Sequence, residues 1–207
     1  MKKLLGIICL LLPTLSFGQG QVFDQKIIDT AMKEIGVYKM PGTDDPRVRQ
    51  YVEETGNPIE FYSEDGWCSS FVGWDLKQNG YQYANYPTYE EWQHVADVTD
   101  DPQIGDVVLI PGHIAFFNGW LDLPGYGKAV MVLGGNQAHR VCVLPIGTAN
   151  IVYFMVPRKA PPGWHPRRHF NEKIAGMESK LDDKTTIMYI WNYQMNKNQR
   201  ENPAPNL

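Results

Sequence analysis

A cysteine, a histidine and a side-chain amide follow one another along this chain in contexts that could support nucleophilic catalysis. Cys68 begins a predicted helix, where unpaired backbone N–H groups and the helix dipole favour a thiolate over a thiol. His113 begins a predicted strand, and a neutral imidazole there could take the thiol proton. Asn136 ends a later strand and could fix the tautomer of that imidazole. Together they predict a cysteine nucleophile, its general base and an orienting amide.

Each of these residues also has a structural interpretation. An isolated cysteine is commonly a buried small side chain, a lone histidine is commonly structural, and Gly-Gly-Asn is ordinary hairpin punctuation. We favour His113 as the base because it is the histidine that enters a predicted strand. The other histidines lie in polar turns, at helix ends or in a predicted C-terminal linker: His94, His139, His165 and His169.

Four short motifs surround the three residues. They are Gly-Trp-Cys-Ser-Ser-Phe-Val at 66–72, Gly-Asp-Val-Val at 105–108, Gly-His-Ile-Ala-Phe at 112–116 and Val-Leu-Gly-Gly-Asn-Gln at 132–137. With these motifs, residues 26–158 resemble the NlpC-type and CHAP-type cysteine peptidases. The resemblance is greatest to a branch with a Trp-Cys-Ser/Ala-x-Phe-Val motif and a Gly-Gly-Asn-Gln segment.

The resemblance implies a papain-like core, in which the nucleophile at a helix N-terminus packs on an antiparallel sheet that carries the histidine. It also implies cleavage of amide bonds in bacterial cell-wall peptides. Cys68 would be the nucleophile, His113 the general base and acid, and Asn136 the orienting residue. Many relatives have a second histidine or a glutamate as the third residue, so Gln137 or an unmatched position stays an alternative. Asp106, in the Gly-Asp turn, is predicted to cap a strand entrance.

These residue types predict a thioester mechanism that needs no metal or organic cofactor. Attack of the Cys68 thiolate on an amide carbonyl gives an oxyanion, which the backbone N–H of Cys68 or Ser69 would stabilise. The residues predicted to contact substrate are Trp67, Ser69, Tyr89 and Gln137, with the rings of Trp67 and Tyr89 lining a groove.

Composition narrows the class of protein. The chain has 207 residues, a formal charge of −4, 43% hydrophobic residues and 20% charged residues, which describes a globular protein without the basic character of nucleic-acid binders. Three cysteines are too few for a disulfide scaffold, and no CxxC pair is present. Cys142 alternates within a predicted strand and should pack as a small apolar residue. We therefore predict no disulfide between Cys142 and Cys68, which must stay reduced to act.

The N-terminus is typical of a secretory signal peptide over residues 1–18. A basic start, Met1-Lys2-Lys3, precedes an apolar run over 4–12 that is too short to span a bilayer. Small residues at 16 and 18 predict cleavage before Gln19, which would remove Cys9 with the signal. A buried N-terminal helix is the alternative, and a lipidated Cys9 would leave too short an apolar run before it. The sequence thus predicts an exported protein, periplasmic or secreted, with no stable membrane insertion.

Hydrophobic periodicity predicts helices first and strands afterwards, an α+β arrangement. About five strands should form an antiparallel meander packed on the N-terminal helices, in a domain over 19–158. A linker over 157–169 and a long amphipathic helix over 170–199 are predicted to follow, within an extension over 159–207. The predicted helices are 25–35, 47–54, 67–78 and 89–95, and the predicted strands are 106–110, 114–119, 128–133, 140–144 and 151–156.

The favoured hypothesis is an exported cysteine hydrolase that cleaves peptidoglycan amide bonds, as an endopeptidase or an N-acetylmuramoyl-L-alanine amidase. One alternative is a catalytically idle domain that binds peptidoglycan or acts as a scaffold. Another is a secreted antibacterial effector amidase. Peptidoglycan or its peptide fragments are the predicted partner, nucleic acid is not, and the C-terminal extension could bind a further protein.

Overall fold

Two segments predicted from the sequence lie outside the part of the chain that can be described. These are the signal peptide over 1–18 and the long C-terminal helix over 170–199. The computed structural model describes residues 24–59, 62, 66–86, 88–123, 125 and 127–166.

The described residues contain four α-helices, which match the predicted ones closely. Asp24 caps α1 by accepting the N–H of Lys26, and Asp45 caps α2 by accepting the N–H groups of Arg47 and Val48. The first helix ends three residues earlier than predicted, and the second is one residue longer at each end. The helices are α1 (Gln25–Met32), α2 (Pro46–Thr55), α3 (Cys68–Gln78) and α4 (Tyr89–Val95).

The sheet has six antiparallel strands, one more than predicted. The additional strand is β1. The strand order is β1-β6-β2-β3-β4-β5, which differs from the predicted meander because β6 lies between β1 and β2. A short 3-10 helix, Thr148–Asn150, precedes β6. The strands are β1 (Ala96–Thr99), β2 (Val107–Ile110), β3 (His113–Leu123), β4 (Gly127–Gln137), β5 (Arg140–Gly147) and β6 (Tyr153–Pro157).

The two faces of the sheet belong to different apolar clusters. The helices cover one face, and α3 lies against β3 and β4. On that face the buried strand residues are Ala96, Val107, Leu109, Ile114, Phe116, Leu133, Val141 and Met155. Alternate residues on the opposite face form a second cluster: Val108, Ile110, Ala115, Phe117, Val130 and Val132. This alternation, with period two, fixes which side chains can face the N-terminus of α3.

The described part of the predicted linker is bound to the domain. Pro157 ends β6, and the carbonyl of Arg158 accepts the N–H of Gln82 at 2.8 Å. Further along, the rings of Trp164 and Tyr83 meet edge to face with centroids 5.2 Å apart. As far as Pro166, the segment predicted as a linker over 157–169 therefore packs on the domain. In the described part of the chain, no helix is long and apolar enough to cross a membrane.

A buried carboxyl group on α3 leads to a prediction about how the stability of the fold depends on pH. Asp75 is 0% exposed; its Oδ1 accepts the Asn79 side-chain amide at 3.1 Å, and its Oδ2 has no hydrogen-bond partner. Burial raises the pKa of Asp75 from 3.8 to about 8. The folded protein therefore holds this proton up to a higher pH than the unfolded chain does. Between about pH 4 and pH 8, stability should fall as pH rises, by about 1.4 kcal/mol per unit from this group.

Asp75→Asn should remove that part of the pH dependence and raise the free energy of unfolding at pH 8 relative to the wild type. Denaturant titrations at pH 5 and pH 8 measure it, with the exposed Asp100→Asn as the control. Equal pH dependence in Asp75→Asn and the wild type would contradict the prediction.

Candidate active site

Cys68 is the first residue of α3 and lies where that helix meets the sheet. Its exposed fraction is 8%. Burial raises the pKa of the Cys68 thiol, while hydrogen bonds from the backbone N–H groups of Ile114, Ser69 and Cys68 itself lower it in part. The sequence-based expectation of a lowered pKa is therefore wrong in net direction, because burial outweighs the helix amides. Cys68 rests as a thiol and needs a base to become a nucleophile.

His113 is the first residue of β3, immediately before the Ile114 amide that reaches the Cys68 sulfur. A tight turn positions it: Ile110 pairs with His113, and Gly112 between them has φ 70°, as the third residue of a type II turn requires. The ring is partly buried, and its Nε2 lies 3.1 Å from Gln137 Oε1. Burial lowers the pKa of His113 to about 4, against the opposing effect of the Gln137 hydrogen bond. The imidazole is therefore neutral near pH 7.

The side-chain amide of Gln137 selects the tautomer of His113. Its Nε2 donates to the carbonyl oxygens of Cys142 at 2.5 Å and Val132 at 3.4 Å. Carbonyl oxygens only accept, so the amide nitrogen must face them and Oε1 must face the imidazole. An oxygen in that position requires the proton to be on Nε2 of His113. The other ring nitrogen, Nδ1, is left as the base.

A β-bulge gives Gln137 this direction. The register of β4 and β5 passes from Gly134↔Cys142 to Gln137↔Arg140, which leaves one more residue on β4 than on β5. Asn136, inside the bulge, has the left-handed backbone φ of 58°. Such bulges bend a strand and redirect side chains, commonly beside active sites. Gln137, the alternative to Asn136 as the orienting residue, is thus the amide that contacts His113, and Asn136 lies inside the bulge.

The backbone role of Asn136 can be separated from a chemical role. At φ 58° glycine is unstrained, whereas a Cβ costs roughly 1–2 kcal/mol for residues other than asparagine and aspartate. We expect Asn136→Gly to have about five times the kcat of Asn136→Ala, since of these two replacements glycine alone keeps the bulge without strain. Steady-state kinetics on a soluble wall fragment measure the ratio. Equal losses in the two variants would instead indicate that the Asn136 side chain acts in the chemistry.

Two glycines bring β4 close to the elements that carry Cys68 and His113. A Cβ on Gly135 would lie 2.6 Å from Phe71 Cβ and 2.7 Å from a ring carbon of Trp67, both on or next to α3. A Cβ on Gly134 would lie 2.9 Å from Ala115 Cβ on β3. Real Cβ atoms do not approach this closely. The Gly-Gly pair is therefore required by space, and it sets the distance between α3 and the sheet.

The residues predicted to contact substrate differ in how far they are buried. Trp67 and Ser69 are 0% and 1% exposed. The Trp67 ring packs on Tyr51 with centroids 6.3 Å apart, so its predicted place in a groove is wrong in this structure. The backbone amide of Ser69, by contrast, reaches the Cys68 sulfur. Tyr89 starts α4, is partly buried, and stacks on Tyr153 at a centroid distance of 5.1 Å.

Cys142 and Asp106 both make structural hydrogen bonds. Cys142 is half-buried, and its Sγ donates to the backbone carbonyl of Gln137 at 3.3 Å, so it supports the bulge in addition to packing. Cys68 and Cys142 are both free thiols. Asp106 accepts the backbone N–H of Gln103 at 2.8 Å, which agrees with its predicted capping role.

The low pKa of His113 predicts the acid side of the activity profile. Because burial disfavours the imidazolium, the proton binds near pH 4 rather than at the ordinary 6.5. We expect kcat/KM to stay level from pH 7 to about pH 5 and to fall as pH approaches 4, where the base is protonated. Initial rates across pH 3.5–8 on a soluble fragment check this. A half-maximal rate near pH 6.5 would contradict it.

Comparisons with known proteins add little to this geometry. No protein-family model and no curated protein matches the chain. It is similar to a solved structure described as "Structure of the Resuscitation Promoting Factor Interacting protein RipA mutated at C383", at 17% identity and a TM-score of 0.40. The match covers 66% of this chain and 62% of that one, less than two thirds of its length. Over the described residues, no group of three or more His, Cys, Asp and Glu side chains could hold a metal ion.

Proposed function

We propose that this protein is an exported cysteine hydrolase that cleaves amide bonds of bacterial cell-wall peptidoglycan. The observation that carries the proposal is the contact between His113 Nε2 and Gln137 Oε1 at 3.1 Å. The residue after His113, Ile114, donates its backbone N–H to the Cys68 sulfur. In this proposal Cys68 on α3 is the nucleophile, the neutral His113 on β3 is the base, and Gln137 on β4 orients the base. The motif resemblance supports the substrate class, and the N-terminal signal pattern supports export.

Acylation begins with proton transfer, because both partners rest uncharged. His113 Nδ1 takes the Cys68 thiol proton as the sulfur attacks the amide carbonyl carbon. The backbone N–H groups that hydrogen-bond to the resting sulfur, those of Cys68 and Ser69 at the helix start, then stabilise the tetrahedral oxyanion. The C–N bond breaks, and the leaving nitrogen takes the proton from the imidazolium. A thioester on Cys68 remains.

Deacylation uses the same groups in reverse. The neutral imidazole removes a proton from water, which attacks the thioester carbonyl carbon. The C–S bond breaks, and the imidazolium returns its proton to the sulfur. The products are a carboxylic acid and an amine, which correspond to endopeptidase or muramoyl-alanine amidase cleavage according to the bond that enters the site.

Digestion of purified peptidoglycan tests the proposal. Residues 19–207 of the wild type, Cys68→Ala and Cys142→Ala are incubated with intact wall, and released fragments are identified by mass. We expect new amine termini with the wild type and Cys142→Ala and none with Cys68→Ala. The hydrolase proposal fails if the wild type releases no new amine termini. Wall binding without release would point instead to the catalytically idle binding domain.

A further inference from the structure

Three neighbouring strands place an aromatic residue in line with Ile114, whose amide hydrogen-bonds to the Cys68 sulfur. Leu109 on β2 pairs with Ile114 on β3 and with Tyr153 on β6. All three belong to the helix-facing side of the sheet, because Leu109 and Ile114 are in its core and Tyr153 alternates with Met155. Directly opposed residues on adjacent antiparallel strands lie about 5 Å apart. Tyr153 is thus roughly 10 Å across the sheet from Ile114, whose amide reaches the Cys68 sulfur.

Tyr153 forms a flat surface with Tyr89 at this end of the sheet. The two rings stack at a centroid distance of 5.1 Å and an interplanar angle of 12°. The exposed fraction of Tyr153 is 37%, and that of Tyr89 is intermediate, so part of the stacked pair is open to a ligand. Gln93 donates its side-chain amide to the Tyr89 hydroxyl, which adds polar atoms at the rim of the pair.

We infer that the Tyr89–Tyr153 pair binds a hexose ring of the glycan strand. This inference rests on the proposed function and names where the sugar part of that substrate lies. The C–H face of a pyranose is apolar and packs flat on an aromatic ring, while phenol hydroxyls and an amide at the rim meet sugar hydroxyls. A separation of roughly 10 Å between Tyr153 and Ile114, whose amide reaches the Cys68 sulfur, suits a substrate in which a short peptide joins the scissile amide to the sugar.

Charge at the pair favours a sugar over the peptide stem. Glu90 adjoins Tyr89 in the first turn of α4 and is exposed, and its carboxylate adds to burial and the bond to Tyr153 in raising the pKa of Tyr89. A carboxylate there repels an acidic peptide stem and leaves an uncharged hexose unaffected. The ligand class is therefore an uncharged hexose that is linked to the peptide being cut.

Binding to an inactive protein tests the inference without requiring cleavage. Calorimetry compares Cys68→Ala with Cys68→Ala/Tyr153→Ala, each titrated with a disaccharide–peptide and with the same peptide lacking the disaccharide. We expect Tyr153→Ala to weaken binding of the disaccharide–peptide about tenfold and to change binding of the free peptide less than twofold. Tyr153→Phe should keep most of the affinity, because the ring remains.

Trp120→Ala is the matched control, since Trp120 is 51% exposed and packs with Phe117 and Phe154 of the opposite face of the sheet. It should change neither titration.

Equal weakening of the binding of both ligands by Tyr153→Ala, or no weakening of either, would overturn the inference. Wall digestion by the wild type is scored separately. A sugar-dependent Tyr153 effect without digestion rejects the hydrolase proposal alone, and digestion without that effect rejects the sugar site alone.

Discussion

Gln137→Ala is expected to lower kcat about 100-fold while KM changes little, the largest effect of a residue that does not itself exchange a proton. The substitution removes Oε1, the acceptor that lies 3.1 Å from His113 Nε2 and favours a proton on that nitrogen. The tautomer with the proton on Nδ1 then competes, and it cannot accept the thiol proton at the atom proposed as base. The loss falls on the chemical step because Gln137 is buried and contacts His113 rather than solvent.

Two measurements separate this effect from a loss of structure. Nitrogen chemical shifts of the His113 ring should report the Nε2–H tautomer in the wild type and a mixture in Gln137→Ala. Gln78→Ala, an exposed glutamine on the same helix as Cys68, is the control and should retain full activity. A Gln137→Ala protein with more than half the wild-type kcat and an unchanged tautomer would show that Gln137 does not orient the base.

Gly135→Ala should have the largest effect on stability, a loss of about 3 kcal/mol in the free energy of unfolding. The added Cβ would lie 2.6 Å from Phe71 Cβ and 2.7 Å from the Trp67 ring, and both of those residues are 0% exposed. Neither neighbour can move into solvent, so the start of α3 must shift away from β4. The same shift should separate Cys68 from His113 and lower activity in whatever fraction remains folded.

Gly147→Ala offers a matched control on the adjacent strand. Its Cβ would meet one atom, Asn150 Nδ2, at an ordinary 3.6 Å, and its φ of −63° suits any residue. Urea unfolding followed by tryptophan fluorescence should therefore show a large drop in midpoint for Gly135→Ala and almost none for Gly147→Ala. Similar midpoints for the two variants would contradict the close packing of β4 on α3.

The helices and most strands could be predicted because their signals are local. Apolar spacing marks the helices, with capping aspartates at the starts of α1 and α2, and β-branched runs between turn residues mark β2 to β6. The strand β1, Ala96–Thr99, was missed because it is short and follows α4 without a break, and two of its four side chains are exposed. Its pairing with β6, far along the chain, is a tertiary contact that no local pattern encodes.

The candidate site could be predicted in its residue types but not in its finer geometry. The motifs identified Cys68 and His113, yet Asn136 and Gln137 are adjacent amides, and only the bulge decides which one meets the histidine. The Gly-Gly pair before these two amides was the available signal. It indicates close packing of β4, and that packing constrains the direction of the residues that follow. The direction of the Cys68 pKa depends on burial, which a helix-start argument does not include.

The central claim, that the Cys68 sulfur is the nucleophile of a wall hydrolase, is tested most directly by stoichiometric alkylation. Iodoacetamide is reacted with residues 19–207 of Cys142→Ala, which leaves Cys68 as the cysteine that can react. At each time point, mass spectrometry gives the alkylated fraction of the Cys68 peptide, and wall digestion gives the remaining activity. We predict that activity falls in direct proportion to the alkylated fraction and reaches zero at full modification. Undiminished wall digestion by fully alkylated protein would contradict the account.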